Sequence, residues 1–390
     1  MFRLKNCIDK TREISKNALS QKRARVAALS LTTSLLALAL ALAAPASAEP
    51  PKDIYKVIAT IPLVSGADAM TIDEKRGKLY TAVGTDNNMA VVDLATNTVS
   101  KLIPFSGSQG FAITQDPVLG KVLAVGGSPG VVSIFDMATE TLTATVKPPA
   151  SSSFSYLGIA VNPLKGQYYV GLSYASYSVI AIYNEQSNNL VRQIKLPFAP
   201  AAMAVDPYRD KLYVLPPYEG PKTVLAIDLV SDTIGTTIQI PDNTGDGIKI
   251  DVYHGLVYVG GEFLNTPKES VPGSVFVIDE DTSALTQEII TSPFPEANAT
   301  TSALTVQVAI DPINGIGYAV NWYFGSVDIF NLRTNELIDT ITIPNDQVWG
   351  VVVDPIRRTV YASGSQNLYV ISAGPAEATP YSPLAVDFPT

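Results

Sequence analysis

The feature that most constrains this chain is a short pattern that recurs seven times between residues 71 and 364. Each copy has an apolar residue, then Asp or Asn, often Pro, a two-residue turn, and an apolar strand that usually contains Tyr. The anchors of the seven copies are Asp73, Asp116, Asn162, Asp206, Asp251, Asp311 and Asp354. Their spacings are 43, 46, 44, 45, 60 and 43 residues. Because Asp and Asn before a turn accept backbone N–H bonds, we interpret the anchors as structural.

A second pattern lies inside the units: an apolar strand, a turn rich in Asp or Asn and Thr, and another strand that ends in Pro. One example is AVVDLATNTVSKLIP, from Ala90 to Pro104. Each unit therefore contains four short β-strands separated by turns. A four-strand repeat of 43–46 residues predicts an all-β, seven-bladed β-propeller with four-stranded blades.

The last unit ends early, after LYVIS at 368–372, whereas DIYKVIATIP at 53–62 matches the missing strand. We therefore expect the N-terminal strand to complete the last blade and so remove a free sheet edge. The predicted domains are residues 49–373 as a single propeller and 374–390 as a Pro-rich tail. An open solenoid or two sandwiches are the alternatives, but neither explains why the orphan strand and the vacancy lie at opposite ends.

The repeats AVNPLKGQYYVGL and AVDPYRDKLYVLP, followed by VLAIDLVSDTI, resemble those of the YVTN-type seven-bladed β-propellers of secreted and periplasmic bacterial proteins. The resemblance covers about residues 53–373. It implies a binding or surface protein, and more distant propellers of similar build include subunits of quinone- or haem-dependent oxidoreductases. It assigns no catalytic residue, because the shared residues build turns and strands.

Residues 1–48 have the pattern of a secretory signal peptide. A basic segment is followed by an Ala/Leu-rich run at 26–44 and by Ala46-Ser47-Ala48. We predict cleavage after Ala48 and a periplasmic or secreted location, with no stable membrane insertion afterwards. An uncleaved membrane anchor is the alternative, because the apolar run approaches spanning length.

Removing residues 1–48 takes away eight basic and two acidic residues, which changes the net charge from −9 to about −15. An acidic surface disfavours nucleic acid and anionic lipid, so a neutral or cationic small ligand, peptide or protein is the expected partner. The chain has one Cys, Cys7, and one His, His254. These are too few for a Cys/His zinc site, an iron–sulfur cluster or a covalent haem, so no cofactor is expected.

A propeller of this kind has two faces. One face carries the loops that lead into the innermost strands and the loops that join the second strands to the third; we call it the entry face. The other face carries the Asp-Pro and Asp-x-x-Thr turns, and we call it the turn face. The turn face is predicted to hold Arg76, Arg209, Arg333, Arg357, Arg358 and His254. The entry face then lacks the usual general base and anion clamp, so lactonase or phosphoester chemistry is disfavoured.

The entry face is instead predicted to be aromatic and acidic. The candidate ligand-binding residues are Tyr156, Tyr174, Tyr177, Tyr218, Phe263, Trp322, Tyr323, Trp349, Asp246 and Glu262. Exposed aromatic rings among carboxylates suit stacking on a sugar or apolar ring, or capture of a cation. The alternative is that these rings wedge between blades and fill the channel.

Two insertions, 260–273 and 291–305, account for the long fifth interval and are predicted on the same face. The segment 242–247, DNTGDG, has oxygen ligands at alternate positions, as calcium loops do, which makes Asp242 and Asp246 weak metal candidates. Tyr253 stands where a bidentate Glu is required, so we predict an ordinary turn-forming loop and no metal.

The sequence thus predicts an exported, monomeric propeller that acts as a non-catalytic binding or scaffold module. Two alternatives stay open. One is a periplasmic enzyme or an oxidoreductase-associated propeller subunit, with carboxylates such as Asp246 and Glu262 as acid and base or with a cofactor brought by a partner. The other is a cell-surface structural protein that uses blade edges and its tail.

Overall fold

The structure is a computed structural model. It describes residues 54–83, 87–105, 110–126, 131–147, 158–217, 220–262, 273–291, 305–322, 324–374 and 381. Within these ranges the chain forms strands and turns and no helix. The first fourteen strands are β1 (Val57–Pro62), β2 (Ala67–Asp73), β3 (Lys78–Val83), β4 (Asn88–Asp93), β5 (Thr98–Pro104), β6 (Gly110–Asp116), β7 (Lys121–Gly126), β8 (Val131–Asp136), β9 (Thr141–Val146), β10 (Ile159–Asn162), β11 (Gln167–Ser173), β12 (Ser178–Asn184), β13 (Leu190–Leu196) and β14 (Ala202–Asp206). The other fourteen are β15 (Lys211–Leu215), β16 (Thr223–Asp228), β17 (Thr233–Gln239), β18 (Asn243–Asp251), β19 (Leu256–Glu262), β20 (Ser274–Asp279), β21 (Ala284–Ile290), β22 (Thr305–Asp311), β23 (Ile316–Asn321), β24 (Ser326–Asn331), β25 (Glu336–Thr342), β26 (Gly350–Asp354), β27 (Thr359–Ser363) and β28 (Asn367–Ser372).

These strands form seven four-stranded antiparallel sheets, which confirms the predicted seven-bladed propeller. Blades 1 to 6 are β2–β5, β6–β9, β10–β13, β14–β17, β18–β21 and β22–β25, each in chain order from the innermost strand. Blade 7 has the order β26-β27-β28-β1. The N-terminal strand therefore supplies the outermost strand of the last blade, as predicted, with Thr60 opposite Tyr369 and Pro62 opposite Asn367.

Among the described residues the core is divided into seven apolar clusters, and each lies between two neighbouring blades. Between blades 7 and 1, for example, Val352 and Tyr361 pack with Met70 and Leu79. The middle strands are buried on both sides, as in β7 and β19, because each blade is covered by a neighbour on each face. Burial of these apolar side chains is the main force that holds the blades together.

The first turn of each blade, between its two inner strands, is fixed by its anchor. In blade 2, Asp116 Oδ1 accepts N–H bonds from Val118 at 2.6 Å and Leu119 at 2.9 Å. The residue four positions after the anchor has a left-handed backbone in every blade, and Gly occupies that position in five of them. The exceptions are Asp210 (φ 51) and Arg358 (φ 57). The repeated Asp therefore acts as a turn cap, and Gly follows because it adopts a positive φ without strain.

Candidate functional site

The two tryptophans come together on the entry face, although they lie 27 residues apart in the sequence. Trp322 follows β23 in the loop between the second and third strands of blade 6, and Trp349 immediately precedes the innermost strand of blade 7. Their ring centroids are 4.6 Å apart, and the planes are inclined by 39°. Both side chains are only partly buried. Two neighbouring blades thus present one partly exposed aromatic surface.

Trp349 is positioned by its backbone and by the loop before it. Its N–H donates to Ser363 O at 2.9 Å. In the same loop, Asp346 accepts hydrogen bonds from Ser365 Oγ at 2.6 Å and from Tyr369 Oη at 2.7 Å. Burial opposes ionisation of Asp346, but these bonds outweigh it and lower the pKa of this carboxyl. Asp346 therefore holds the loop in place and has few lone pairs left for a ligand.

A second aromatic pair lies on the entry face of blade 3. Tyr174 and Tyr177 occupy the loop between β11 and β12, and their rings stack with centroids 4.5 Å apart and planes inclined by 23°. The turn is closed by the Tyr174 N–H, which donates to Tyr177 O at 2.8 Å. Tyr177 is 44% exposed. Its ring is therefore accessible beside the Tyr174 ring.

Six other predicted site residues lie wholly or by their side chains outside the part of the chain that the structure describes. Tyr156, Tyr218, Phe263 and Tyr323 lie outside the described residues, as do most of the two insertions. Asp246 lies in β18 and Glu262 ends β19, but their side chains are not among those described. These six residues therefore stay predictions.

The segment 242–247 differs from the predicted loop. Residues 243–247 belong to β18, with a register shift between Thr244 and Ile248. Gly245 and Gly247 let the innermost strand of blade 6 approach closely, since an added Cβ would come within 2.6 Å of Thr305 O and 2.7 Å of Gln307 Cα. This close packing overrides the poor strand propensity of the sequence, so the loop prediction was wrong.

Asp242, the first weak metal candidate, is engaged by other groups. Its Oδ1 lies 3.0 Å from Lys222 Nζ and accepts the Asn243 N–H at 2.8 Å. Among the described side chains, no group of three or more His, Cys, Asp and Glu residues could hold a metal ion. The described residues also contain no helix long and apolar enough to cross a membrane.

The five arginines and the histidine assigned to the turn face lie in turns on that face, as predicted. Arg76, Arg209 and Arg357 each place Nη1 2.8 Å from the carboxylate of the anchor three residues earlier. Oxygen atoms of these anchors also accept backbone N–H bonds, so the pairs stabilise turns. These three arginines therefore stabilise the turns by pairing with the anchor carboxylates.

Two buried glutamates on the turn face were not found from the sequence. Glu185 and Glu280 are fully buried and follow directly after the third strands of blades 3 and 5. Burial, followed by a hydrogen bond with Asp116, raises the pKa of Glu185 to about 8. Burial and a hydrogen bond with Asp206 raise the pKa of Glu280 to about 8 as well. A carboxyl with a pKa of about 8 is mostly protonated at neutral pH, so each of these glutamates can be buried without a full negative charge. The only sequence signal was Glu at a position where four other blades have Leu or Met and blade 7 has Ala.

Comparison with known proteins supports the fold and adds little about the site. No protein-family model matches the sequence, and no curated protein matches it, so the YVTN-type resemblance stays unconfirmed. The structure is similar to a chain of hydrazine synthase from Kuenenia stuttgartiensis, with a TM-score of 0.66 and 16% sequence identity. The match covers 80% of this chain and 96% of that chain. At this identity the likeness shows a shared propeller fold and no shared activity.

Proposed function

We propose that this protein is an exported, non-catalytic binding module that recognises its ligand with the entry face. The supporting observation is the Trp322–Trp349 pair, in which two blades place partly exposed rings 4.6 Å apart. Exposed aromatic side chains on a rigid scaffold are typical of binding surfaces, because they offer a large contact area with little loss of conformational entropy.

The ligand class follows from shape and charge. A tilted pair of indole rings suits the flat apolar face of a sugar ring or a cationic group, which is attracted by the faces of the rings. The chain has 36 acidic against 27 basic residues, which favours neutral or cationic partners over nucleic acid. The Tyr174–Tyr177 pair on blade 3 supplies a second contact point for a larger ligand.

Isothermal titration calorimetry tests this proposal directly. The protein is titrated with neutral oligosaccharides, spermidine and a Lys-rich peptide. We expect one class to bind and Trp349→Ala to weaken that binding at least tenfold. The matched control is Tyr208→Ala, which removes a 49% exposed ring from the turn face and should leave affinity unchanged. Binding that is equally strong in both variants, or no binding by any probe, would contradict the proposal.

A second candidate function is that of a propeller subunit associated with an oxidoreductase or another periplasmic enzyme. It is favoured only by the likeness to a hydrazine synthase chain. Because the sequence has a single Cys, Cys7, a covalent haem has no Cys-x-x-Cys-His attachment site, and the partner would have to bring the redox group. Purification of the native protein with a stoichiometric haem- or flavin-absorbing partner would support this function.

A cell-surface structural role would leave assembly intact after substitution of both tryptophans.

A further inference from the structure

The turn face has a repeated contact between neighbouring blades. At some interfaces the residue three positions after an anchor reaches over the left-handed residue in the first turn of the next blade. Arg357 of blade 7 lies over Gly77 of blade 1, where an added Cβ would approach Nη2 to 2.6 Å. Arg209 of blade 4 lies over Gly255 of blade 5 in the same way, at 2.9 Å. At these two interfaces a long cationic side chain covers the next turn.

The contact changes between blades 5 and 6. Blade 5 has His254 at the position of these arginines, and an imidazole is shorter than an arginine side chain. Its Nδ1 lies 2.7 Å from Asp251 Oδ2, which holds the ring at its own anchor. The left-handed residue of blade 6, Gly315 (φ 70), is covered instead by Tyr381, whose Cβ would lie 2.9 Å from an added Cβ. A residue from the C-terminal segment thus takes the place of an arginine.

The backbone and hydroxyl of Tyr381 are both bound. Its N–H donates to Ile313 O at 2.8 Å, and its hydroxyl donates to Leu332 O at 3.2 Å. The carbonyl equivalent to Leu332 O in blade 4 is Leu229 O, which accepts a bond from Lys165 Nζ of blade 3 at 2.8 Å. The Tyr381 hydroxyl therefore donates to a carbonyl of blade 6 whose equivalent in blade 4 accepts its hydrogen bond from a lysine of the preceding blade.

The ring of Tyr381 is bound as well. It stacks on the His254 ring with centroids 4.1 Å apart and planes inclined by 29°. The Arg333 guanidinium carbon lies 4.8 Å from the Tyr381 ring centroid. The ring also packs against the apolar cluster between blades 5 and 6. Peptide backbone, aromatic ring and phenol are each met by a specific partner, which is how a binding site recognises a tyrosyl residue.

The chain is also held where it leaves the last blade. Arg358 Nη2 donates to Ala373 O and Gly374 O, both at 3.0 Å, and Nη1 lies 3.5 Å from Asp311 Oδ2 of blade 6. The C-terminal segment is thus fixed to the turn face at its start and again at Tyr381.

We propose that the turn face at blades 5 and 6 forms a socket for a tyrosyl side chain, built by His254, Gly315, Arg333 and the carbonyls of Ile313 and Leu332, and that the chain's own C-terminal segment occupies it in cis. The socket ties that segment to two blades that are separate from the ring closure in blade 7. It is independent of the entry face, so the proposed function and this socket can fail separately.

Because His254 is the only histidine in the sequence, its ring protons give an unambiguous NMR probe. In the full chain we expect an upfield ring-current shift and nuclear Overhauser contacts to a tyrosine ring. Tyr381→Ala should abolish both, whereas Tyr381→Phe should retain the shift and lose only the hydroxyl bond. Tyr208→Ala is the matched control, since it removes a turn-face tyrosine from blade 4 and should leave the His254 signals unchanged.

A synthetic peptide of residues 376–386, AEATPYSPLAV, tests the socket itself. Added to the Tyr381→Ala protein, it should restore the shift of His254 in a saturable way, and the same peptide with Ala in place of Tyr should not. The absence of Overhauser contacts in the unaltered protein would overturn the proposal, even if Tyr381→Ala failed to fold. A shift that disappears on dilution would overturn occupancy in cis and assign it to a second copy.

Discussion

On the turn face the same contacts recur from blade to blade, whereas on the entry face each described loop has its own. The anchors Asp116 and Asp354, for instance, accept N–H bonds from the residues two and three positions later in the same geometry. The entry face has a tryptophan pair at blades 6 and 7 and a tyrosine pair at blade 3. Repeated contacts serve the fold that all blades share, and individual ones are free to serve a ligand.

The largest effect should come from removing an anchor on the turn face. Asp354 is fully buried, caps the Ile356 and Arg357 N–H groups, and lies 2.8 Å from Arg357 Nη1. Asp354→Ala leaves these donors without their acceptor and should lower the free energy of unfolding by about 3 kcal/mol in urea denaturation. Asp281→Ala, at a side chain 83% exposed on the same face, should change it by less than about 0.5 kcal/mol. Equal losses of unfolding free energy in the two variants would contradict the structural role of the buried anchor.

A smaller, pH-dependent effect is expected at the buried acid pairs. The pKa of Glu185 is raised from 4.5 to about 8, so its stabilising contribution is present below about pH 4.5 and is lost as the pH rises through about 8. Glu185→Gln cannot ionise and should raise Tm by a few degrees at pH 9 while changing it little at pH 5. Calorimetric scans at both pH values check this. The exposed control Glu336→Gln should show no such difference, and a matching pH dependence in both variants would contradict the assignment.

Two glycine substitutions on the turn face separate backbone strain from contact with the tail. At Gly166 the φ is 57° and no atom lies within 4 Å of an added Cβ, so Gly166→Ala introduces backbone strain alone. It should lower the free energy of unfolding by about 1 kcal/mol. Gly315→Ala adds a clash with Tyr381 and should cost about 1 kcal/mol more in urea denaturation. The additional loss should disappear in a Tyr381→Gly background, which removes the Cβ as well as the ring, and its persistence there would show that Tyr381 is not its cause.

The smallest effect on stability is expected on the entry face. Tyr177 is 44% exposed and contacts Tyr174 at the surface. Tyr177→Ala should therefore lower the free energy of unfolding by less than about 1 kcal/mol. A loss as large as that of Asp354→Ala would show that the tyrosine pair is part of the core.

The fold could be predicted from the sequence because the repeat period, the Asp caps and the displaced terminal strand are local signals. The pairing of β1 with β28 follows from one vacancy and one spare strand. The strand at 243–247 could not be predicted, because Asp, Asn and Gly have poor strand propensity and the cause is close packing against Thr305 and Gln307.

For the candidate site, the sequence predicts only the face of the propeller on which each residue lies. The order of the strands places Trp322 and Trp349 on one side of the propeller, but their contact depends on how two blades pack. The Asp116–Glu185 pair and the position of Tyr381 are likewise contacts between distant parts of the chain. Such contacts leave no periodic signal in a single sequence.

The most direct test of the central claim is acrylamide quenching of tryptophan fluorescence, since both tryptophans of the chain are in the proposed site. We predict an emission maximum typical of partly solvated indoles and substantial quenching by acrylamide in the native protein. A ligand whose affinity is lowered by Trp349→Ala should protect the tryptophans from the quencher. Blue-shifted emission that resists the quencher would mean that Trp322 and Trp349 are internal packing, and it would contradict the assignment of the entry face as the binding surface.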